Sequence, residues 1–205
     1  MEDQEIEVKF LISDLAAIRS RLDELGAVMT HARVFERNLR FDNDDRDISG
    51  NKQTLRLRKD SKVYLTFKGP SQSASVAMRQ EIEIEVSDFD AAWHMLDALG
   101  YHAYVTYEKY RTTYQYLDSL ITLDELPYGN FIEIEGPSEF SLRMVAGALN
   151  VNWNYRIVDS YLGIYGHLLE KLNKQEGDLT FSALHDLSAV TPAELDLIPA
   201  DILIP

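Results

Sequence analysis

The sequence predicts an α+β protein built on an eight-stranded antiparallel β-barrel with helices packed outside. Three observations predict it. About eight segments before residue 150 alternate apolar and polar residues with the period of two that marks a strand. Three segments with helical apolar spacing are inserted among them. In at least six of the strands the polar face is concentrated in Glu, Arg and Lys at positions two apart.

The first strand is "EIEVKF": Ile6, Val8 and Phe10 share one face, and Glu5, Glu7 and Lys9 the other. A helix follows, with Ser13 or Asp14 as cap, Leu15, Ile18, Leu22 and Leu25 on its apolar stripe and Gly26 at its stop. Residues 28–43 read as a long strand and 44–53 as a polar turn. "TLRLRK" and "KVYLTFKG" are strands joined by Asp60 and Ser61. "PSQSAS" is a small-residue loop, 76–86 a strand, and 88–100 a second helix ending in Gly100. Strands follow at 101–117, 121–126 and 130–136, with "LPYGN" as the last tight turn. Residues 139–150 form a third helix. From Tyr155 onward the chain changes to short helices at 155–173, 182–190 and 192–198, and ends in the apolar "PADILIP".

The chain has 205 residues and no cysteine, which removes disulfides, zinc–thiolate sites and thiol catalysis. Its net charge of −14 disfavours nucleic acid and anionic membranes as partners. No apolar run approaches the roughly 20 residues that span a bilayer, and the acidic start is unlike a signal peptide. The expectation is a cytoplasmic protein with no membrane and no nucleic-acid partner.

An antiparallel sheet often has one solvated side, and for any single strand that is the ordinary reading. It weakens across six strands. Arg56 and Arg58 oppose Leu55 and Leu57; Thr66 and Lys68 oppose Val63, Leu65 and Phe67. Arg79, Glu81, Glu83 and Glu85 oppose Ile82, Ile84 and Val86, with Glu85 at the rim. Lys109 and Arg111 share a face, Asp124 stands apart from Ile121 and Leu123, and Glu133 and Glu135 oppose Ile132 and Ile134. If the sheet closes, helices cover the apolar faces and the charged faces line a lumen. Isolated buried charges are too costly to keep. A charged lumen needs pairing, water or a ligand, and a polyanion with divalent cations satisfies it. Arg and Lys hold phosphate oxygens; carboxylates hold Mg²⁺ or Mn²⁺ as hard oxygen ligands.

"EIEVKF" is similar to the E-x-E-x-K signature of the CYTH family, the triphosphate tunnel metalloenzymes. "LRLR", "LTFKG", "RQEIEIEV", "EKYRTTY", "LDEL" and "FIEIEG" follow in the family's order. The resemblance covers about residues 3 to 165 and implies an eight-stranded tunnel that binds a triphosphate with one or two divalent metals. It implies Glu5, Glu7, Glu133 and Glu135 as metal ligands, with Asp124 serving a second metal or orienting water. It implies Lys9, Arg56, Arg58, Lys68, Lys109 and Arg111 as triphosphate ligands. Arg79 and Arg37 are weaker candidates of that kind. Glu81 and Glu83 match a further acidic strand, where they bind metal, orient water or pair with lumen bases; Lys9 contacts phosphate or fixes a nearby catalytic group.

Residues 1–165 are thus expected to form the tunnel domain and 166–205 a helical extension, whose apolar end covers a tunnel mouth, supports a homodimer or binds a partner. The expected activity is hydrolysis of the terminal phosphate of inorganic triphosphate or an organic triphosphate such as thiamine triphosphate. The alternatives are a class IV adenylate cyclase and a non-catalytic polyphosphate- or nucleotide-binding module. Other motifs carry less. "DNDDRDISG" lacks the final glutamate of a calcium loop, the five histidines are scattered, and there is no P-loop.

Overall fold

The computed structural model describes residues 4–175, 177–184 and 190–202. Eight strands form, at β1 (Gln4–Ile12), β2 (Val28–Asp42), β3 (Thr54–Lys59), β4 (Val63–Lys68), β5 (Ala77–Glu85), β6 (His102–Tyr116), β7 (Ser119–Leu126) and β8 (Gly129–Glu135). They close in the order β1-β5-β4-β3-β2-β6-β7-β8, every neighbouring pair antiparallel. The helices are α1 (Leu15–Glu24), α2 (Asp47–Gly50), α3 (Phe89–Ala98), α4 (Glu139–Ala148) and α5 (Tyr161–Lys171).

The helix ends follow their local chemistry. Asp14, not Ser13, caps α1, accepting from the amides of Ala16 and Ala17. Ser13 and the Asp14 amide are instead held by Asp201, from the far end of the chain. Gly26 and Gly100 follow α1 and α3 at φ +71° and +85°, the left-handed turn that glycine adopts without strain.

The outer faces of the barrel are covered as the alternation requires. Ile6, Val8, Phe10, Ile121, Leu123, Ile132 and Ile134 pack against Ile18 and Leu22 of α1 and Leu142, Val145 and Ala146 of α4. Leu39, Phe41 and Leu57 pack against Phe89 and Leu96 of α3. Among the described residues no helix is long and apolar enough to cross a membrane.

A third core lies across one end of the barrel. Leu11, Tyr107, Leu126 and Phe131 continue the inward faces that carry Lys9, Lys109, Asp124 and Glu133. They meet Tyr161, Ile164, Tyr165, Leu168 and Leu169 of α5, together with Leu179, Leu184 and Leu195. All the helices lie outside the ring of strands, as expected, with α5 across its end rather than along its side. The expected boundary at 165/166 falls in the middle of this helix.

The last segment is stitched to the sheet where staggered strands leave their edges unpaired. β1 meets β5 only through Gln4–Glu7. Beyond that point Lys9 exchanges two backbone bonds with Ile157, of 3.0 and 2.8 Å, and the Ala200 amide donates to Leu11. β6 meets β7 only from Tyr110 onward. Leu179 takes the free edge, donating to Thr106 O and accepting from Glu108 N, both at 2.9 Å. Each bond satisfies a backbone group that would otherwise be orphaned. Beyond Lys171 the described residues form turns rather than helices, at 181–184 and 192–196. The expected helix at 182–190 lies mostly outside the described residues (185–189), as does the end of "DILIP" (203–205).

Candidate functional site

The barrel encloses a cavity of about 470 Å³. Its lining brings together Glu5, Glu7 and Lys9 of β1, Arg56 and Arg58 of β3, Lys68 of β4, Arg79, Glu81 and Glu83 of β5, Lys109 and Arg111 of β6, and Glu133 and Glu135 of β8. Glu36, Arg40 and Asp60 also face it. Eight acids thus face eight bases, so the net negative charge of the chain lies off this wall. The charges are not evenly mixed. Most acids sit on β1, β5 and β8, while Arg40, Arg56, Arg58, Lys109 and Arg111 occupy β2, β3 and β6 across the ring, with β4 and β7 between the two groups.

The pairing is dense. Lys9 lies 2.5 Å from Glu7 and 3.0 Å from Glu133. Lys68 reaches Glu5 at 2.5 Å and Glu81 at 3.2 Å. Arg79 spans Glu5 and Glu7 at 2.9 and 2.8 Å. Glu83 accepts from Thr66 at 2.7 Å and holds Arg58 and Arg56 at 3.2 and 3.4 Å. Arg111 reaches Glu133 at 3.1 Å. Burial works against the charge on Lys9, but Glu133 and Glu7 outweigh it and raise its pKa. Burial likewise opposes the charge on Glu133, and Lys9, Arg111 and Lys109 hold its carboxyl well below the usual range.

Asp124 is placed differently from its neighbours. It has the inward parity, yet it is fully buried and is not on the cavity wall. Arg111 donates to both its oxygens, Lys109 donates at 3.1 Å and the Tyr161 hydroxyl at 2.7 Å. In this arrangement Asp124 holds two lumen bases from behind, and both its oxygens are already engaged. Burial and Asp124 push the Tyr161 phenol well above its usual pKa, so Tyr161 stays a donor.

Arg37 points the wrong way: it is exposed and pairs across the outer register with Lys59. The inward residues of β2 are Glu36, Asn38 and Arg40, opposite Lys109, Tyr107 and Arg56 on the flanking strands. Sequence reasoning missed Glu36 and Arg40, although their alternation against Leu39 and Phe41 was a usable signal. Among the described residues Arg40 makes no ion pair, and its buried Nε has no hydrogen-bond partner. Glu85 lies off the cavity wall, paired with Lys62 at 2.7 Å. Tyr107 and Tyr161 were also missed as site residues; no local pattern separates them from core tyrosines.

Whether these residues suit a divalent cation is decided by their donors and charges. Glu5, Glu7, Glu133 and Glu135 offer only hard carboxylate oxygens, the donor type that Mg²⁺ and Mn²⁺ prefer. Glu135 makes no ion pair among the described residues. Burial first, then Glu5, Glu133, Glu7 and Glu81, push its pKa up to about 7. A negative charge there lacks a counter-charge, so the acid wall fits a cation. Among the described residues no three acidic or histidine side chains already form a metal cage. A cation therefore has to take carboxylate oxygens now held by Lys9, Lys68 and Arg79.

The chain is similar to known proteins in sequence and in fold. The CYTH domain family matches residues 3–142. A Methanocaldococcus jannaschii protein named "Putative adenylate cyclase" is 27% identical over 173 residues, covering 79% of this chain and 98% of that protein. A Pyrococcus horikoshii OT3 protein of known structure is 29% identical, with a TM-score of 0.67 over 82% of this chain and 99% of that one. A Vibrio parahaemolyticus structure, described as a "putative adenylate cyclase", is 20% identical, with a TM-score of 0.72 over 81% and 99%. A Hippeastrum structure is 17% identical, with a TM-score of 0.58 over 84% and 97%. It is described as a "putative adenylyl cyclase" that reveals a dominant triphosphatase activity.

Proposed function

The chain belongs to the CYTH domain family, and from that premise we propose that it is a divalent-metal-dependent enzyme that hydrolyses the terminal phosphate of inorganic triphosphate or of an organic triphosphate. The observation that carries this reading is the cavity itself, with an acid-rich wall on β1, β5 and β8 facing a base-rich wall on β2, β3 and β6. A triphosphate is the complement of such a site. Its oxygens take guanidinium and ammonium donors, and its excess charge needs a cation on the acid side.

In this reading Arg40, Arg56, Arg58, Lys68, Lys109 and Arg111 hold the phosphate oxygens, with Lys9 and Arg79 joining them from the acid-rich wall itself. Glu5, Glu7, Glu133 and Glu135 would hold Mg²⁺ or Mn²⁺, which supplies Lewis-acid neutralisation of phosphoryl oxygens. Hydrolysis joins a water oxygen to the terminal phosphorus and releases the bridging oxygen with the diphosphate. Glu81 is the better placed carboxylate to orient that water and take its proton. Its only partner among the described residues is Lys68 at 3.2 Å, whereas Glu83 is occupied by Thr66, Arg56 and Arg58.

Arg40 provides a clean probe. Among the described residues no carboxylate pairs with it, so removing it orphans none of them. Arg40→Met is expected to raise KM for inorganic triphosphate about tenfold, the scale of one lost hydrogen bond to a charged group, with kcat and thermal stability nearly unchanged. Steady-state kinetics and a melting curve check this; an unaltered KM would remove Arg40 from the binding wall.

A second reading is a class IV adenylate cyclase, in which the ribose 3′-hydroxyl of ATP attacks the α-phosphorus and pyrophosphate leaves. His31, Val34, Tyr64 and Leu120 on the lining favour it, since an apolar and aromatic surface suits a nucleobase. The test is one panel: inorganic triphosphate, thiamine triphosphate and ATP, each with Mg²⁺ or Mn²⁺, with phosphate, pyrophosphate and cyclic AMP quantified. Phosphate without cyclic AMP is expected. Cyclic AMP with pyrophosphate would replace the first reading by the second. Tight binding with no product would make the cavity a binding module.

A further inference from the structure

We propose that Tyr161 is a positioning residue for the lumen cations, acting on Lys9 and Lys109 through its ring and on Lys109 and Arg111 through Asp124. This rests on the reading of the cavity as a triphosphate site. Tyr161 lies outside the residues that the family match covers, and no short motif marks it.

The geometry is specific. Tyr161 opens α5, whose N-cap Ser160 accepts from the Gly163 amide. Its backbone carbonyl accepts from the buried Tyr128 hydroxyl at 2.9 Å. Its ring meets Phe131 edge-on, 5.3 Å between centroids. The backbone is therefore held by the helix cap and by Tyr128, and the ring by Phe131, before the side chain touches the site. Its hydroxyl donates to Asp124 Oδ2 at 2.7 Å, and Asp124 in turn holds Lys109 and Arg111. The ring centroid lies 5.4 Å from Lys9 Nζ and 5.3 Å from Lys109 Nζ, within reach of a cation–π attraction.

Lysine is a flexible four-carbon stem with a compact charge, so it binds an anion well only if something limits its rotamers. One ring that attracts two ammonium groups does that for both at once. One hydroxyl that shares the Asp124 carboxylate keeps that acid behind the wall, turned to its two bases and away from the lumen. The C-terminal helix thus contributes to phosphate binding without placing a cation on the cavity wall.

The test uses the full chain, inorganic triphosphate as the probe, and three readouts: calorimetric affinity with and without Mg²⁺, steady-state kinetics, and the NMR signals of the lysine ε-methylene groups. An aromatic face shifts such signals upfield. Tyr161→Phe keeps the ring and removes the hydroxyl. It is expected to retain the shifted lysine signals and to weaken affinity and raise KM about tenfold, as loss of an outer partner does at comparable sites, with kcat changed less than about twofold. Tyr161→Leu is expected to abolish the shifted signals and weaken affinity further. Parental affinity and KM in both variants, or lysine signals that do not move in Tyr161→Leu, would overturn the proposal. If Tyr161→Leu does not fold, Tyr161→Phe decides alone, and parental affinity in it overturns the proposal. A parent that binds triphosphate without turnover defeats the enzymatic reading, while the affinity comparison still judges Tyr161. A parent that binds none defeats both.

Discussion

Glu7→Gln is expected to lower metal-dependent turnover by about two to three orders of magnitude, the scale on which one preorganised electrostatic group acts in an active site, while the protein stays folded. Glu7 is 2% exposed and is shared between Lys9 and Arg79. Removing one member of a buried ion pair usually costs about 3–5 kcal/mol, because the other is left uncompensated. Here both bases keep a second acid: Lys9 has Glu133 at 3.0 Å and Arg79 has Glu5 at 2.9 Å. Glutamine also fits the same space and still accepts a hydrogen bond. The loss should therefore appear in kcat and in the metal dependence, with a small shift in melting temperature. Full activity in Glu7→Gln would mean that the inward face of β1 does not serve the reaction.

Deleting residues 175–205 is expected to lower the unfolding temperature by at least about 10 °C, since about 1 kcal/mol shifts a chain of this size by roughly 2–4 °C. The cut leaves α5 in place but removes Leu179, Leu184 and Leu195 from the core that closes one end of the barrel. At about 1.5–3 kcal/mol per buried side chain, those three leucines are worth a large share of the roughly 5–15 kcal/mol that stabilises an ordinary domain. The cut also opens the β6 edge covered by Leu179, the β1 contact made by Ala200, and the clasp of Asp201 on Ser13 and Asp14. Thermal unfolding and mass in solution are measured together. A truncated chain that melts with the parent and differs only in assembly would make the segment an interaction element instead.

Much of the barrel was legible because strand alternation is a local property. Glu5, Glu7, Lys9, Arg56, Arg58, Lys68, Lys109, Arg111 and Glu133 each oppose an apolar neighbour, so each declares its face within three or four residues. β2 shows where this fails. It is fifteen residues long and carries irregularities at three points. Arg37 shares the outward side with Leu39, while Glu36 and Arg40 turn inward. Their parity could be read against Leu39 and Phe41, but only if this part of the strand is assigned separately from its bulged start.

Asp124 and Tyr161 show a different limit. The parity of Asp124 was right, yet parity does not say whether an inward acid lines the cavity or lies behind two bases. That depends on which side chains of β6, β8 and α5 arrive at the same height once the staggered sheet closes. Tyr161 lies 37 residues from its partner Asp124, and no pattern near it distinguishes a site tyrosine from a packing one. By itself, then, the sequence determined the closed antiparallel sheet, the charged lumen and most of its members, because alternation and charge are written residue by residue. Only the tertiary structure decided which of the roles open to the tail it takes, with α5, Leu179, Leu184 and Leu195 closing one end, that Arg40 rather than Arg37 faces the lumen, and that Asp124 stands behind the wall. Those outcomes depend on strand stagger and long-range packing, which a period of two does not encode.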